Sequence, residues 1–129
     1  MESVIIAARC AYDAELKRRL ALGWKVAETA SGGLVIEDGG ARVYLSRNDA
    51  VAEDREPEAR ARTAAAAPEP VFYTVDFTDL NLCRRALLAI ADDPRLLIDN
   101  DHGVLLSGVD FARVLRSQPD WDWRRDRVS

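Results

Sequence analysis

Hydrophobic and polar positions fall into blocks of two different periods along this chain. The opening run "SVIIAAR" is short, apolar and β-branched, which predicts a buried strand. Tyr12, Leu16 and Leu20 then recur at four-residue steps, while Lys17, Arg18 and Arg19 point elsewhere, so "AYDAELKRRLALG" predicts an amphipathic helix. Asp13 is placed to cap or favour its N-terminus, and Gly23 suits its end. In "WKVAETASGGLVIEDGGARVYLS" the period shortens to two, predicting three short strands. Ser31-Gly32-Gly33 and Asp38-Gly39-Gly40 supply the turns, and Val43 and Leu45 alternate with Arg42, Tyr44 and Ser46.

From Asn48 to Pro70 the pattern lapses. The segment is rich in Ala, Glu and Arg, has no aromatic residue, and is interrupted by Pro57, Pro68 and Pro70. It reads as a linker or surface excursion with a turn or two of helix around Arg60–Ala67. Patterning resumes at "VFYTVDF", where Val71, Tyr73, Val75 and Phe77 share one strand face. Asp79 caps a second helix whose Leu80, Cys83, Leu87 and Ile90 form an apolar stripe, and Asp92-Asp93-Pro94 ends it. "RLLID" and "VLLS" predict a hairpin, and Phe111, Val114 and Leu115 a short helix over Val109–Ser117, stopped by Pro119.

The two halves echo each other. Asp13, Leu16, Arg18 and Arg19 match Asp79, Leu82, Arg84 and Arg85, and each helix follows a strand and precedes a hairpin. A duplicated strand–helix–hairpin unit is one reading of this; a βαβ-like plan that generates similar patterns is the other. The expected fold is α+β: one domain over residues 1–129, in which residues 1–47 and 71–129 flank the segment 48–70. It should hold a mostly antiparallel sheet, or two small ones, two main helices on one side and a short C-terminal helix.

Composition narrows the class. Hydrophobic residues are 48% and charged residues 31%, as in folded domains rather than disordered chains. Net charge is −4 from 22 acids and 18 bases. Nucleic acid is therefore a poor default partner, since it asks for a basic face. Arginine outnumbers lysine 16 to 2, a mark of GC-rich bacterial coding sequence that says nothing about activity. The apolar run Val4 to Ala8 follows Glu2 with no preceding base, which fails as a signal peptide, and no run approaches the ~20 apolar residues of a membrane span. The expectation is a cytoplasmic protein with Cys10 and Cys83 reduced.

The candidate chemistry is sparse. "IDNDHG" holds the one histidine, and Asp99, Asp101 and His102 form a candidate metal set. A calcium loop beginning at Asp99 would find a carboxylate at its twelfth position, Asp110, but its glycine is misplaced: Gly103 is fifth and Val104 sixth. Asp, Asn and Gly are also what a hairpin corner wants, and "EDGG" holds the same place in the first half. A Cys–His pair would draw on Cys10 or Cys83 with His102. Cys83 sits in an apolar stripe where a thiol acts as a small hydrophobe, and Cys10 is the better nucleophile of the two. The pairs Asp92-Asp93 and Asp76 with Asp79 have sufficient explanation as turns and caps, and no glycine-rich phosphate loop or serine elbow appears. No cofactor is expected.

The tail "PDWDWRRDRVS" offers the other candidates. Trp121 and Trp123 either dock the tail on its own core or serve as anchors for a partner, with Asp120, Asp122, Arg124 and Arg125 around them. Small size, acidity and the lack of a convergent catalytic set predict a protein-binding module rather than an enzyme. In its narrowest form this is a bacterial immunity- or antitoxin-like inhibitor that occludes a toxin or enzyme with a basic surface.

Overall fold

The computed structural model describes residues 2–48, 57–66, 70–100 and 105–123. Its strands are β1 (Glu2–Ala8), β2 (Ala27–Glu28), β3 (Leu34–Asp38), β4 (Ala41–Arg47), β5 (Val71–Phe77), β6 (Leu96–Asp99) and β7 (Leu105–Ser107). Its helices are α1 (Asp13–Ala21), α2 (Pro57–Ala66), α3 (Leu80–Ile90) and α4 (Gly108–Ser117). All seven strands join one antiparallel sheet in the order β2-β3-β4-β5-β1-β6-β7.

Alternation decides which face of the sheet is covered. Val4, Ile6 and Ala8, with Tyr73, Val75, Phe77, Val43, Leu45, Leu34, Ile36, Leu96 and Ile98, point to one side and form the main core. Against them pack Leu16 and Leu20 of α1, Leu82, Cys83, Ala86, Leu87 and Ile90 of α3, and Phe111, Val114 and Leu115 of α4. The opposite face is polar over much of its area, with a smaller apolar group of Ile5, Ala7, Phe72 and Leu97. Helix α2 meets the sheet at the β7 edge, where Arg62 donates to the Leu105 carbonyl at 3.3 Å and Thr63 is buried.

The helix ends show which residue types set them. Asp79 Oδ2 accepts from Leu82 N at 2.9 Å, the capping role expected of it. Ser107 does the same for α4 through Asp110 N. At α1 the second of the two expected roles holds: the N-cap is Tyr12, with no side-chain cap bond, and Asp13 is an acidic residue of the first turn. Asp13 instead spends its carboxylate on a hydroxyl from β5.

Both strand–helix–hairpin runs are present, but their hairpins attach differently. Strand β3 runs against β1, the first strand of its own half, whereas β6 runs in the same direction as β5. The two initial strands, β1 and β5, pair with each other at the centre, and each half's hairpin lies beside the initial strand of the other half. Among the described residues no helix is long and apolar enough to cross a membrane.

Candidate functional site

The α1 end of the sheet carries an open cleft of about 670 Å³. Its walls are the first two turns of α1, the β2–β3 turn, and the ends of β4 and β5. Leu16, Leu34 and Leu45 give it an apolar floor, and Ser31, Gly32, Ser46 and Asn48 a polar rim. A volume of this size lies in the range that takes a drug-sized ligand or a short stretch of another chain.

A chain of hydrogen bonds fixes one wall. Tyr73 lies on the core face of β5, so its hydroxyl enters the protein and must find partners there. It accepts from Tyr12 N at 2.8 Å and donates to Asp13 Oδ2 at 2.9 Å. Burial, reinforced by donation to the Asp13 carboxylate, pushes the Tyr73 hydroxyl up to about 12 against the opposing Tyr12 N–H bond. It therefore stays a neutral donor at physiological pH. The other wall is tied by an ion pair, Lys17 Nζ to Glu28 Oε1 at 2.6 Å, joining α1 to β2.

The turn that forms the rim is built for close approach. Thr29 Oγ1 accepts from Gly33 N at 2.9 Å and lies 3.1 Å from Ser31 Oγ. A Cβ on Gly33 would come within 2.9 Å of the Leu45 carbonyl oxygen, while Gly32 needs its φ of +87°. Only glycines let this turn lie so flat against β4. Asn48 continues β4, donating its backbone N–H to Phe72 O at 2.9 Å.

Charge in the cleft is unevenly compensated. Lys17 and Glu28 neutralise each other. Arg47, on the rim, is engaged in an interaction of its own and lowers the Tyr73 pKa. Asp13 makes no ion pair among the described residues; its carboxylate has only the neutral Tyr73 hydroxyl. Asp13 and Ser31-Gly32-Gly33 stand out in the sequence only as helix-start and turn residues, with no sign that they share a cleft. The one available signal is a tyrosine at an inward-facing strand position, whose hydroxyl demands a partner.

A second polar cluster lies behind the first. Asp93, read from sequence as a turn residue, is buried and holds four groups together. Its carboxylate accepts from the Tyr12 hydroxyl at 2.6 Å, from Arg95 Nη2 at 2.7 Å, and from Arg19 Nη2 at 3.3 Å, while Oδ1 takes Arg95 N at 2.8 Å. Arg95 foremost, with help from Tyr12, holds the Asp93 carboxyl well below the usual carboxylate range. The Tyr12 hydroxyl is raised to about 12, by burial first and by its bond to Asp93 second. Arg19 and Arg95 both lie against the Tyr12 ring, at 5.8 and 5.2 Å from its centroid. The cluster fastens α1 to the turn after α3, with the Asp93 carboxylate buried and Arg95 reaching the surface.

The residues singled out in the sequence are distributed as follows. Trp121 and Trp123 are 4% and 1% exposed and packed edge-on to one another, with Phe111 against both and Phe77 against Trp123. Partner anchors need surface indoles, so burial corrects the anchor reading in favour of the docked tail. Arg84 caps the arrangement, donating to the Trp121 and Leu115 carbonyls with its guanidinium 5.7 Å from the Trp123 ring. Asp120 is exposed and Asp122 half-buried with a partner. Arg124 and Arg125 lie outside the described residues.

Of "IDNDHG", Asp99 is half-buried at the end of β6 and already has a partner, while Asp101 and His102 lie outside the described residues. The described portion of the motif is structural: Asn100 is buried, and its side-chain amide donates to the Trp123 carbonyl. Among the described residues no three His, Cys, Asp or Glu side chains converge on a metal position. Cys10 is exposed and Cys83 buried. Compared with protein-family models, curated proteins and solved structures, the chain matches none.

Proposed function

We propose that this chain is a small protein-binding module that receives part of a partner in the cleft between α1 and β2–β4. The observation that supports the reading is the cleft itself: an open concavity of about 670 Å³ with an apolar floor and a polar rim. Its walls are already tied by the Lys17–Glu28 pair and the Tyr12–Tyr73–Asp13 bonds. Preformed walls reduce the ordering entropy lost on association, which is how a small surface gains affinity. Lys17, Glu28 and the Tyr73 hydroxyl are engaged in tying the walls together, an arrangement suited to recognition. In its narrowest form the proposal is a cytoplasmic inhibitor of the immunity or antitoxin kind, whose acidic net charge of −4 suits the basic surface of a toxin or enzyme.

The test is affinity capture of the tagged protein from its native lysate, with native mass spectrometry of the eluate, for the wild type and for Ala14→Trp. Ala14 is an exposed residue of α1 that lines the cleft, so an indole there fills the space without entering the core. A stoichiometric protein partner that the variant fails to capture supports the reading. Wild-type protein emerging alone, or a partner retained by Ala14→Trp, overturns it.

A further inference from the structure

We infer that the cleft takes a basic side chain of the partner, with its charged head on Asp13 and its aliphatic stem over Leu16, Leu34 and Leu45. The inference rests on the protein-binding reading and adds the chemistry of the group that enters. It begins from the charges that line the cleft. Lys17 is matched by Glu28 at 2.6 Å, so neither offers an uncompensated charge to a ligand. Arg47 also lines the cleft and is engaged in an interaction of its own, and of the two cleft carboxylates, Asp13 and Glu28, Asp13 is the one without a cationic partner in the described residues.

Asp13 is also held ready. The Tyr73 hydroxyl occupies one site on Oδ2 at 2.9 Å and steadies a carboxylate that lines the cleft. A carboxylate has about four acceptor sites across its two oxygens, so most remain for a guanidinium or ammonium group. A hydrogen bond between ions of opposite charge is shorter and about twice as strong as a neutral one. Side chains of this type carry three or four methylenes, which bury along apolar surface while the head stays polar. The floor of three leucines below a carboxylate rim matches that division. The Ser31 side chain on the rim adds a further polar group for the remaining N–H groups. The cleft volume exceeds one side chain, so the occupant is a basic residue with its neighbours in a peptide, in keeping with a protein as the source.

The experiment titrates isotope-labelled protein with the capped tripeptides acetyl-Gly-Arg-Gly-amide, acetyl-Gly-norleucine-Gly-amide and acetyl-Gly-Glu-Gly-amide, and separately with guanidinium ion. Backbone amide shifts of Ala14, Gly32, Gly33 and Asn48 report on the cleft. The expected result is saturable shifts with the arginine peptide, at least about fivefold weaker in Asp13→Asn, and weaker again as salt rises. Asp13→Asn keeps an acceptor for Tyr73, and its unchanged far-spectrum amides would show an intact fold.

The inference is overturned if norleucine binds as well as arginine, if the glutamate peptide binds better, or if guanidinium ion alone matches the peptide. It is also overturned if no peptide shifts the cleft amides, or if Asp13→Asn leaves arginine affinity unchanged. These outcomes are separate from those of the capture experiment. A captured partner without arginine preference sinks the inference alone. An arginine-selective cleft in a protein that captures nothing sinks the broader reading alone.

Discussion

The Tyr12 hydroxyl donates to Asp93 Oδ2 at 2.6 Å, joining the entrance of α1 to the turn after α3. One buried carboxylate thereby serves Tyr12, Arg19 and Arg95, and through them positions the helix that forms the cleft wall.

Removing that carboxylate should loosen the whole corner. Asp93→Ala strands the Tyr12 hydroxyl in the interior, and a loss of about 2–3 kcal/mol is expected in urea unfolding. Asp93→Asn should cost less, since an amide oxygen still accepts from Tyr12.

The same group sets an acid limb. Because its folded pKa is lowered, the folded state binds fewer protons than the unfolded state through the acid range. The stabilisation is therefore fully present above the ordinary aspartate pKa of about 4 and is lost as pH falls below it. Unfolding midpoints measured from pH 6 down to pH 2 should fall more steeply for the wild type than for Asp93→Asn.

Trp123 Nε1 is buried without a hydrogen-bond partner among the described residues, while the indole packs on Phe77 and Phe111. An orphan donor costs about 1–3 kcal/mol, so Trp123→Phe should be close to neutral, within about 1.5 kcal/mol. Trp123→Ala removes the packing as well and should cost about 3–5 kcal/mol. Thermal melts of both variants give the comparison; equal losses would mean the indole N–H has found a partner.

Gly108 opens α4 where that helix crosses the turn after α3. A Cβ there would lie 2.0 Å from the Ala91 carbonyl oxygen and 2.7 Å from that of Asp93. Both are backbone atoms and cannot swing aside, so Gly108→Ala should destabilise by about 3 kcal/mol or more. At Gly23 the same added atom meets nothing within 4 Å, and Gly23→Ala should stay within about 0.5 kcal/mol in the same melts.

The two thiols should separate cleanly under a thiol reagent. Cys10 is exposed, whereas Cys83 is fully buried and burial pushes its pKa far up, so it offers almost no thiolate. One rapid equivalent is expected in buffer and two in denaturant. Two rapid equivalents in buffer would show that α3 opens readily.

The elements with a strong period were legible in the sequence. Tyr12, Leu16 and Leu20 are the buried stripe of α1, and Leu87 and Ile90 are buried in α3 as their spacing requires. The alternation of β5 placed Tyr73, Val75 and Phe77 on the core face. Weaker signals gave less. Of the three short strands expected after Trp24, the first is only Ala27–Glu28, with Trp24 and Val26 before it packed against the core. Helix α2 spans Pro57–Ala66, longer than the turn or two expected, alanine propensity outweighing the thin apolar face. The cleft was not legible at all. Asp13 looks like a cap and Tyr73 like core, and only the pairing of β1 with β5 brings residues sixty positions apart into one hydrogen-bonded chain. Asp93 was hidden for the same reason, since a local turn explains an aspartate before proline well enough.

Strand β1 draws both of its neighbours from the far half of the chain, β5 on one side and β6 on the other. During synthesis one edge therefore waits unpaired until β5 has left the ribosome, and the other until β6 follows about twenty residues later. Long-range pairing of this kind slows folding and prolongs exposure to aggregation. The same arrangement makes the chain a natural split protein. A fragment ending in the 48–70 segment and one beginning after it would each hold half of the central strand pair, and neither would have a finished sheet until they met.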